Sequence, residues 1–575
     1  MTSSLPSTPS RPPTSSLPST PSRPPTTSRP STPSRPPTTS RPSTTIRYPP
    51  APAPSSVLGA TPYVTENAEA YEAGGGYAAA VTPDELLYHL DACGLRGRGG
   101  AGFPAAVKLR TVREHGRRGR GSGTRGERAA DADTPVVVAN GEEGEPGSVK
   151  DRWLLRARPH LVLDGLVHAA AVTGARHGYV YLSDPEAARR VRRALAERVP
   201  PLPVEVVETA AAYVAGEETA VVRRIDGGPA LPTAKPPRPF ERGVGGAPTL
   251  VANVETLARI ALVAARPDLR EPIARSTLVT LSGGGVANVL TEVPYGVPLR
   301  TLAAAHGTPA PAGALMGGLF GGLVDARALD LPLEPGALAA AGTALGCGAI
   351  RFLTADVCPV GAAADAVGHL AAESARQCGV CVSGTAAISD ALDHLASGSA
   401  EPDTAERLHR WARGLPGRGA CGLLDAAAGL AGSLLRVFPA QVRAHLDGPC
   451  PLCRADAPAG DPHRRTRLTV PVPTVSAPAP TGSGPTPSAP TPSAPTSSAP
   501  AVSASTSSAP AVSASTPSAP AVSASTPSAP ALSAPTPSAP AVSAPSTPAS
   551  TTPASTTPAP ASPAETMAAV PEGTS

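Results

Sequence analysis

The sequence is poor in aromatic residues and has no long apolar run. Aromatic side chains make up only 3% of the 575 residues, while proline takes 74 positions and glycine 56. That composition excludes one uniformly packed globule. No apolar run approaches the roughly 20 residues that span a bilayer, and the polar N-terminus lacks the apolar segment of a secretory signal. We therefore expect a soluble, cytoplasmic protein with no direct membrane span.

The proline is concentrated at the two ends of the chain. Residues 1–56 are almost wholly Ser, Thr, Pro and Arg, and the residues from about 468 onward repeat motifs such as SAPAVSAST. Neither stretch can bury enough apolar surface to offset its ordering entropy. The sequence predicts disordered tails at 1–56 and 455–575 around a core long enough for two or three domains.

Acidic residues are missing from the N-terminal tail, which carries much of the excess positive charge. The formal net charge is +4, so the core is close to neutral. A nucleic-acid-binding core needs a concentrated basic face. We expect no nucleic-acid partner.

The cysteines all lie in the predicted core, and four of them form two CxxC pairs. In a reducing compartment such pairs favour metal or redox chemistry over a disulfide framework. The eight are Cys93, Cys347, Cys358, Cys378, Cys381, Cys421, Cys450 and Cys453.

A helix start followed by a glycine-rich loop opens the core. Thr82 and Glu85 form a capping box with Pro83 at the first helical position, which predicts a short helix. The loop 94–104 then contains five glycines. Such a loop lets backbone N–H groups converge on an anion, with Lys108 as a charge partner. A phosphate cradle and a flexible linker both fit this pattern.

An acidic loop follows the apolar strand candidate 136–139. In a parallel sheet this is where ligands bind. The carboxylates of Glu142, Glu143 and Glu145 suit ribose hydroxyls or ring N–H groups, although a solvated turn has the same composition. Strand candidates at 179–182 and 204–207, joined by a helix from 185 to about 199, predict a mostly parallel sheet.

Several motifs in one order carry a family resemblance. They are GLRGRGGAGFP, ANGEEGEPGSVKDR, YVAGEETA, KPP and APTLVANVETL. This series resembles the flavin-bearing 51-kDa, or F-type, component of NADH-quinone oxidoreductase (complex I), a module that also occurs in NAD-linked hydrogenases and formate dehydrogenases. The match runs from about Tyr88 to Leu446.

The resemblance implies the fold and the domains. We expect an α/β protein with a Rossmann-like FMN-binding domain at 57–272, a small β-grasp (SLBB-like) domain at 273–335 and a C-terminal helical iron-sulfur bundle at 336–454.

The resemblance also implies the cofactor site. Lys108 would stabilise negative charge on a reduced flavin, Phe103 and Glu145 would contact the nicotinamide nucleotide, and Lys108 and Glu145 are the implied catalytic residues. The implied cofactor-binding residues are Gly97, Arg98, Gly99, Phe103, Lys108, Asn140, Glu142, Glu143, Glu217, Glu218, Asn253 and Thr256.

The chain departs from the family's pattern near the nucleotide. Thr111 and Arg238 stand where the family has phenylalanines, and Ala252 replaces an Asn. Each lost aromatic stack removes about 1 kcal/mol, so the sequence favours FMN binding more than NADH binding. The arginine-rich loop predicted after Lys108 suits an acidic ferredoxin or a phosphorylated nucleotide, or is a solvated loop.

The iron-sulfur motif is incomplete. The family's ESCxxCxxC run implies ligands at Cys378 and Cys381, with Cys421 as the distant one, but Ala375 takes the first position. A 4Fe-4S cluster normally has four protein ligands. The fourth is left to Cys358, Cys450 or Cys453, to a non-cysteine residue or to an open iron site, while Cys450 and Cys453 also fit a separate zinc or redox pair, or no role. Cys93 and Cys347 are interpreted as packing residues.

The implied function is NADH dehydrogenase (diaphorase)-like electron transfer. Electrons would pass from NAD(P)H through FMN and the 4Fe-4S cluster to a ferredoxin-like or quinone-linked partner, with other oxidoreductase subunits as further partners. The departures favour a stand-alone, divergent member. Two alternatives remain: a redox-degenerate scaffold, and a flavoprotein that runs from ferredoxin to NAD(P).

Overall fold

The computed structural model describes residues 43–47, 56–121, 134–455 and 467–478. Most of both predicted tails lies outside these residues, and so do positions 122–133 of the predicted arginine-rich loop.

A four-stranded parallel sheet forms the centre of the first domain. Its strand order is β4-β3-β2-β5, and all three neighbouring pairs are parallel, as the β-α-β pattern predicts. The strands are β2 (Val136–Asn140), β3 (His177–Leu182), β4 (Val204–Glu208) and β5 (Thr249–Asn253). The helices are α1 (Ala68–Ala73), α2 (Pro83–Ala92), α3 (Ala105–Gly121), α4 (Lys150–Ala157), α5 (Pro159–Thr173), α6 (Pro185–Glu197), α7 (Glu218–Ile225), α8 (Val254–Ala265) and α9 (Arg270–Ala274).

Local sequence signals explain where these elements begin. The Thr82–Glu85 capping box is formed at the start of α2, and Asp184 caps α6 through its side chain. The interpretation of the segment after Lys108 as a loop is wrong for its first part, because α3 continues to Gly121. Arg110 and Arg113 on this helix form ion pairs with aspartates of α2.

A second sheet has six strands, in both parallel and antiparallel pairs. Its order is β1-β7-β6-β10-β8-β9, and α10 (Leu299–His306) and α11 (Pro335–Ala340) accompany it. Its assignment as a β-grasp domain stays a prediction. The sheet extends beyond the predicted limits 273–335, because a strand at 44–47 and a strand at 349–353 also belong to it. The strands are β1 (Thr44–Arg47), β6 (Ser276–Gly283), β7 (Asn288–Pro294), β8 (Gly313–Leu315), β9 (Leu323–Asp325) and β10 (Ala349–Leu353).

Two segments that the sequence analysis assigned to disordered tails contact the core. β1 pairs in parallel with β7, and Ile46 is buried in the main core. Near the other end, the side chains of Leu468, Val470 and Val475 are buried. These contacts correct the predicted tail limits at 56 and 455 for the described residues.

A helical region follows the second sheet, as predicted. Its helices are α12 (Pro359–Ala372), α13 (Gly379–Ser397), α14 (Thr404–Gly414), α15 (Leu423–Val437), α16 (Pro439–Leu446) and α17 (Pro451–Ala455). Alanine and leucine from α12, α13 and α15 fill its core. Among the described helices, none is both long and apolar enough by itself to cross a bilayer, although α15 and α16, bent by 94°, reach that standard as a pair.

Candidate functional site

Two asparagines lie side by side at the carboxyl edge of the parallel sheet. Asn140 ends β2 and Asn253 ends β5, and the two are register partners. Asn140 Nδ2 donates to the carbonyl oxygen of Gly216 at 2.8 Å, while the Asn253 side chain caps α8. This edge is where an open α/β sheet places its ligand.

The glycine-rich loop closes over this edge. Gly97 N–H donates to the Phe103 carbonyl at 2.8 Å, and a side chain at Gly99 would place its Cβ 3.2 Å from Asn253 Cβ. Gly100 has φ of +108°, a conformation that glycine adopts without strain. Phe103 itself is exposed at the rim, with 51% of its surface accessible.

We call the space between the glycine-rich loop and the carboxyl edge of the parallel sheet the cradle. The Arg98 guanidinium does not lie in the cradle. It is buried and donates to the carbonyl oxygens of Ala274 and Ser276 at 2.7 and 2.8 Å. Its backbone N–H donates to Thr256 Oγ1 at 2.8 Å. Arg98 and Thr256 therefore fix the loop. Arg98 as a cofactor-binding residue stays a prediction, which its backbone rather than its guanidinium would fulfil.

Charged side chains form one wall of the cradle. Lys108 Nζ donates to the Val251 carbonyl at 2.8 Å and lies 3.7 Å from the Glu218 carboxylate. Burial lowers the pKa of Lys108. Lys235 Nζ lies 2.6 Å from Glu217, whose carboxylate also caps the start of α7. Arg238 reaches the same wall, 4.0 Å from Glu218.

The three glutamates of the acidic loop have different environments. Glu143 accepts from the backbone N–H groups of Asp151 and Arg152 at 3.2 Å, so it anchors the start of α4. Glu142 is buried, and burial raises its pKa to about 7. Hydrogen bonds from the Ser183 side chain and the Ala212 backbone act against that rise.

Glu145 lies between the first domain and the second sheet. Its carboxylate accepts from the Tyr213 hydroxyl at 2.8 Å and from Leu319 N–H at 3.0 Å. Desolvation raises the pKa of Glu145 to about 7. The group can therefore hold or release a proton near neutrality.

A buried ionic network beneath the cradle was missed by sequence reasoning. Lys150 Nζ lies 3.2 Å from Glu255, and Arg259 lies 2.9 Å from the same carboxylate. Burial alone would raise the pKa of Glu255, but the positive charges of Lys150, Arg259 and Arg98 lower it to about 2. The motif ANGEEGEPGSVKDR contains Lys150. The positive charge of Lys150 was therefore the sequence signal that could have indicated this network.

The three predicted cluster cysteines come together at one end of the helical region. Cys378 immediately precedes α13 and Cys381 lies in its first turn. Burial raises the pKa of the Cys421 thiol, and the charges of Cys381, Glu217 and Cys378 raise it further. Ser374 Oγ lies 3.8 Å from Cys381 Sγ. Arg223 of α7 donates at 3.1 Å to Gln377, the residue before Cys378, so the helix that Glu217 caps contacts the cysteine region.

Cys358 and Cys450 do not join this group. Cys358 immediately precedes α12 and Glu373 immediately follows it, and the 14 helical residues between them span about 21 Å. Cys450 and Cys453 lie near the far end of α13, where Gly398 contacts Pro449. The prediction of Cys358 or Cys450 as the fourth cluster ligand is therefore wrong.

The residues present fit the two implied cofactors. FMN carries hydroxyl and ring N–H donors, which the buried carboxylate of Glu142 would accept, and a phosphate, which the glycine loop with Lys108 would hold. The cysteine set supplies three thiolates to a 4Fe-4S cluster. Ala375 leaves the fourth motif position without a donor atom.

Comparison with known proteins identifies the family. The Nuo51 FMN-binding domain matches residues 90–262, and the NADH-ubiquinone oxidoreductase-F iron-sulfur binding region matches residues 361–445. The first match contains the cradle, and the second contains Cys378, Cys381 and Cys421.

Individual relatives agree with these matches. The F 2 subunit of NADH-quinone oxidoreductase from Rhizobium meliloti (strain 1021) is 31% identical over 412 residues, which cover 66% of this chain and 94% of the relative. The HndC subunit of the NADP-reducing hydrogenase from Solidesulfovibrio fructosivorans is 30% identical over 65% of this chain and 79% of its own length. A crystal structure of an NAD+-reducing [NiFe]-hydrogenase in the air-oxidized state superposes with a TM-score of 0.57 at 28% identity, covering 72% of this chain and 69% of the other. This chain belongs to the family of NADH-quinone oxidoreductase F subunits, which are flavin and iron-sulfur oxidoreductases, as the motif series predicts.

Proposed function

We propose that this chain carries electrons between a nicotinamide nucleotide and a one-electron carrier protein, through FMN in the cradle and a 4Fe-4S cluster on Cys378, Cys381 and Cys421. Glu217 is the observation that carries the proposal. It pairs with Lys235 in the cradle wall and caps α7, and Arg223 of α7 donates at 3.1 Å to Gln377, the residue before Cys378. When bound, FMN takes up two electrons with a hydride and the cluster accepts them singly.

The protein's own groups supply orientation and charge. Lys108 and Lys235 place two ammonium groups at the wall, where they stabilise negative charge on a bound phosphate or flavin ring. Glu142 accepts hydrogen bonds from the cofactor. Glu145, held by Tyr213 and Leu319, keeps a proton at a carboxyl whose pKa is raised to about 7 by desolvation.

Aromatic residues fill the gap between Glu145 and the cysteines. The ring of Tyr213 lies parallel to that of Phe320, with centroids 6.4 Å apart. A side chain at Gly422, next to Cys421, would lie 2.9 Å from the Phe320 ring. These rings place apolar surface between Glu145 and the thiols.

The partner is proposed to be a ferredoxin-like carrier that docks beside the cluster. Val382, next to Cys381, and Phe320 are both exposed, at 40% and 48%, and such apolar residues beside a redox centre suit a transient contact. Assembly with other oxidoreductase subunits is the alternative suggested by the relatives. In this proposal the six-stranded sheet is a β-grasp spacer, and the protein acts alone in the cytoplasm, where its eight free cysteines stay reduced.

An anaerobic titration of the full chain tests the proposal. The protein is reconstituted with FMN, iron and sulfide, and NADH or NADPH is added while the visible spectrum is followed. Bleaching of both flavin and cluster absorbance is the expected result. A protein that takes up neither cofactor would contradict the proposal and favour the scaffold alternative, for which Ala375 is the motivating change. Turnover measured from reduced ferredoxin to NAD(P)+ would assign the direction.

A further inference from the structure

Four potential metal ligands converge at the end of the helical region opposite the cluster cysteines. Cys358, His445, Cys450 and Cys453 each offer one ligand atom, and these four atoms all lie within 4.8 Å of one another. Cys358 and His445 are buried, and the two other cysteines are partly buried. We propose that this group is a structural Zn²⁺ site with three thiolate ligands and one imidazole ligand.

The distances within the group match one tetrahedral ion. Both Cys358 Sγ and Cys453 Sγ lie 3.5 Å from His445 Nε2. Zinc bonds of about 2.3 Å to sulfur and about 2.0 Å to nitrogen, at a tetrahedral angle, put two such ligand atoms about 3.5 Å apart. The four ligands of a 4Fe-4S cluster each bind a different iron and stand further apart, so this compact group suits a single ion.

The histidine is oriented as a metal ligand. His445 Nδ1 lies 2.7 Å from the carbonyl oxygen of Gln441, and since a carbonyl only accepts, Nδ1 carries the proton. The lone pair of the neutral ring is then on Nε2, which faces the sulfur atoms. A backbone carbonyl that fixes the tautomer in this way is the usual outer partner of a zinc-bound histidine.

The CxxC pair also has a local geometry that suits zinc. Cys450 Sγ accepts from the backbone N–H of Cys453 at 3.4 Å, so the turn at the start of α17 holds both sulfurs on one side. The remaining cysteine, Cys358, immediately precedes α12. With four protein ligands the site keeps no open position, and a closed site of this kind is structural.

The site joins parts of the chain that are far apart in sequence. Cys358 and His445 are 87 residues apart, and α17 is only five residues long. Zinc would hold α17 against the start of α12, where Cys358 lies, and against the end of α16, where His445 lies. The inference is independent of the proposed electron transfer, because no flavin or cluster residue belongs to the group.

Metal analysis of the full chain tests the proposal. The wild-type protein, expressed with zinc in the medium, is expected to contain one zinc per chain in addition to its iron. Cys453→Ser should lose the zinc and keep its iron and sulfide, whereas the control Cys93→Ser, a cysteine outside both groups, should keep all three. Substoichiometric zinc in the wild type, or zinc unchanged in Cys453→Ser, would overturn the assignment. Loss of iron instead of zinc from Cys453→Ser would overturn it as well, and would return the cysteine to the cluster.

A second measurement needs no variant. Cobalt(II) is loaded into the zinc-depleted wild-type chain, and its visible and near-ultraviolet spectrum is recorded. Strong thiolate-to-cobalt charge transfer with intense tetrahedral ligand-field bands, all removed by added zinc, is the expected result. A weak spectrum typical of six-coordinate cobalt would contradict the site even if every variant failed to fold.

Discussion

Lys108 Nζ lies 3.7 Å from the Glu218 carboxylate in the charged wall of the cradle. Because a hydrogen bond to a charged group contributes about 1.5–3 kcal/mol, Lys108→Met should weaken FMN binding about 10- to 100-fold. Flavin fluorescence titration measures the effect. Arg110→Met is the matched control, since Arg110 lies on the same helix but pairs at the surface with Asp91. Equal FMN affinity in the Lys108 variant and the control would show that the cofactor lies elsewhere.

Removal of one cluster cysteine should separate the two cofactors. Cys381 is buried in the first turn of α13, and we expect Cys381→Ser to lose iron and acid-labile sulfide while it still binds FMN. Iron, sulfide and flavin are assayed on the same anaerobic sample. The control Cys93→Ser changes a cysteine whose thiol contacts the Leu90 carbonyl in the first domain. Retention of full iron in the Cys381 variant would contradict the ligand assignment.

The opposite substitution should complete the motif. Ala375 stands at the first ligand position of the ESCxxCxxC run and is packed against the helical core. Ala375→Cys would supply the fourth thiolate that a 4Fe-4S cluster normally has. We expect the Ala375→Cys variant to lose iron more slowly on exposure to air. The decay of cluster absorbance with time measures this loss. An unchanged decay rate would mean that another group already fills the fourth position.

The raised pKa of Glu145 makes the stability of the FMN-free protein depend on pH. Desolvation raises this pKa from 4.5 to about 7 on folding, so the folded protein binds the proton more tightly than the unfolded chain. Stability is therefore highest below pH 4.5 for this group and falls as the pH rises to about 7, by at most about 3 kcal/mol.

Glu145→Gln should remove that share of the pH dependence. Thermal unfolding midpoints at pH 5 and pH 8 are compared with those of the exposed control Glu114→Gln. The Glu145 variant should lose less stability between the two pH values than the control. Equal losses of stability between the two pH values in both variants would show that folding does not raise the pKa of Glu145.

Signals within a few residues made much of the fold predictable. The capping box at Thr82 and the apolar run of β2 each depend on neighbouring residues alone, and the structure contains both elements. The Thr44–Arg47 strand was missed because four residues in a Ser- and Pro-rich segment have no periodicity of their own. They form a strand only because β7 offers an edge.

Long-range contacts account for the features of the site that the sequence did not predict. Arg98 lies in a loop rich in glycine and arginine, and only the position of Ala274 and Ser276 turns its guanidinium into the core. The full ligand group of the proposed zinc site was not predictable for the same reason, since His445 belongs to no motif and meets Cys358 through helix packing. Sequence spacing identified Cys450 and Cys453 as a pair but not their partners.

Single-turnover reduction by NADH tests the central claim most directly. In the reconstituted wild-type chain, rapid mixing should show flavin bleaching followed by the electron paramagnetic resonance signal of a reduced cluster. In Cys421→Ser the flavin should still bleach, but no cluster signal should follow. A cluster signal of wild-type size in that variant, or no flavin bleaching in the wild type, would contradict the path from the cradle to the three cysteines.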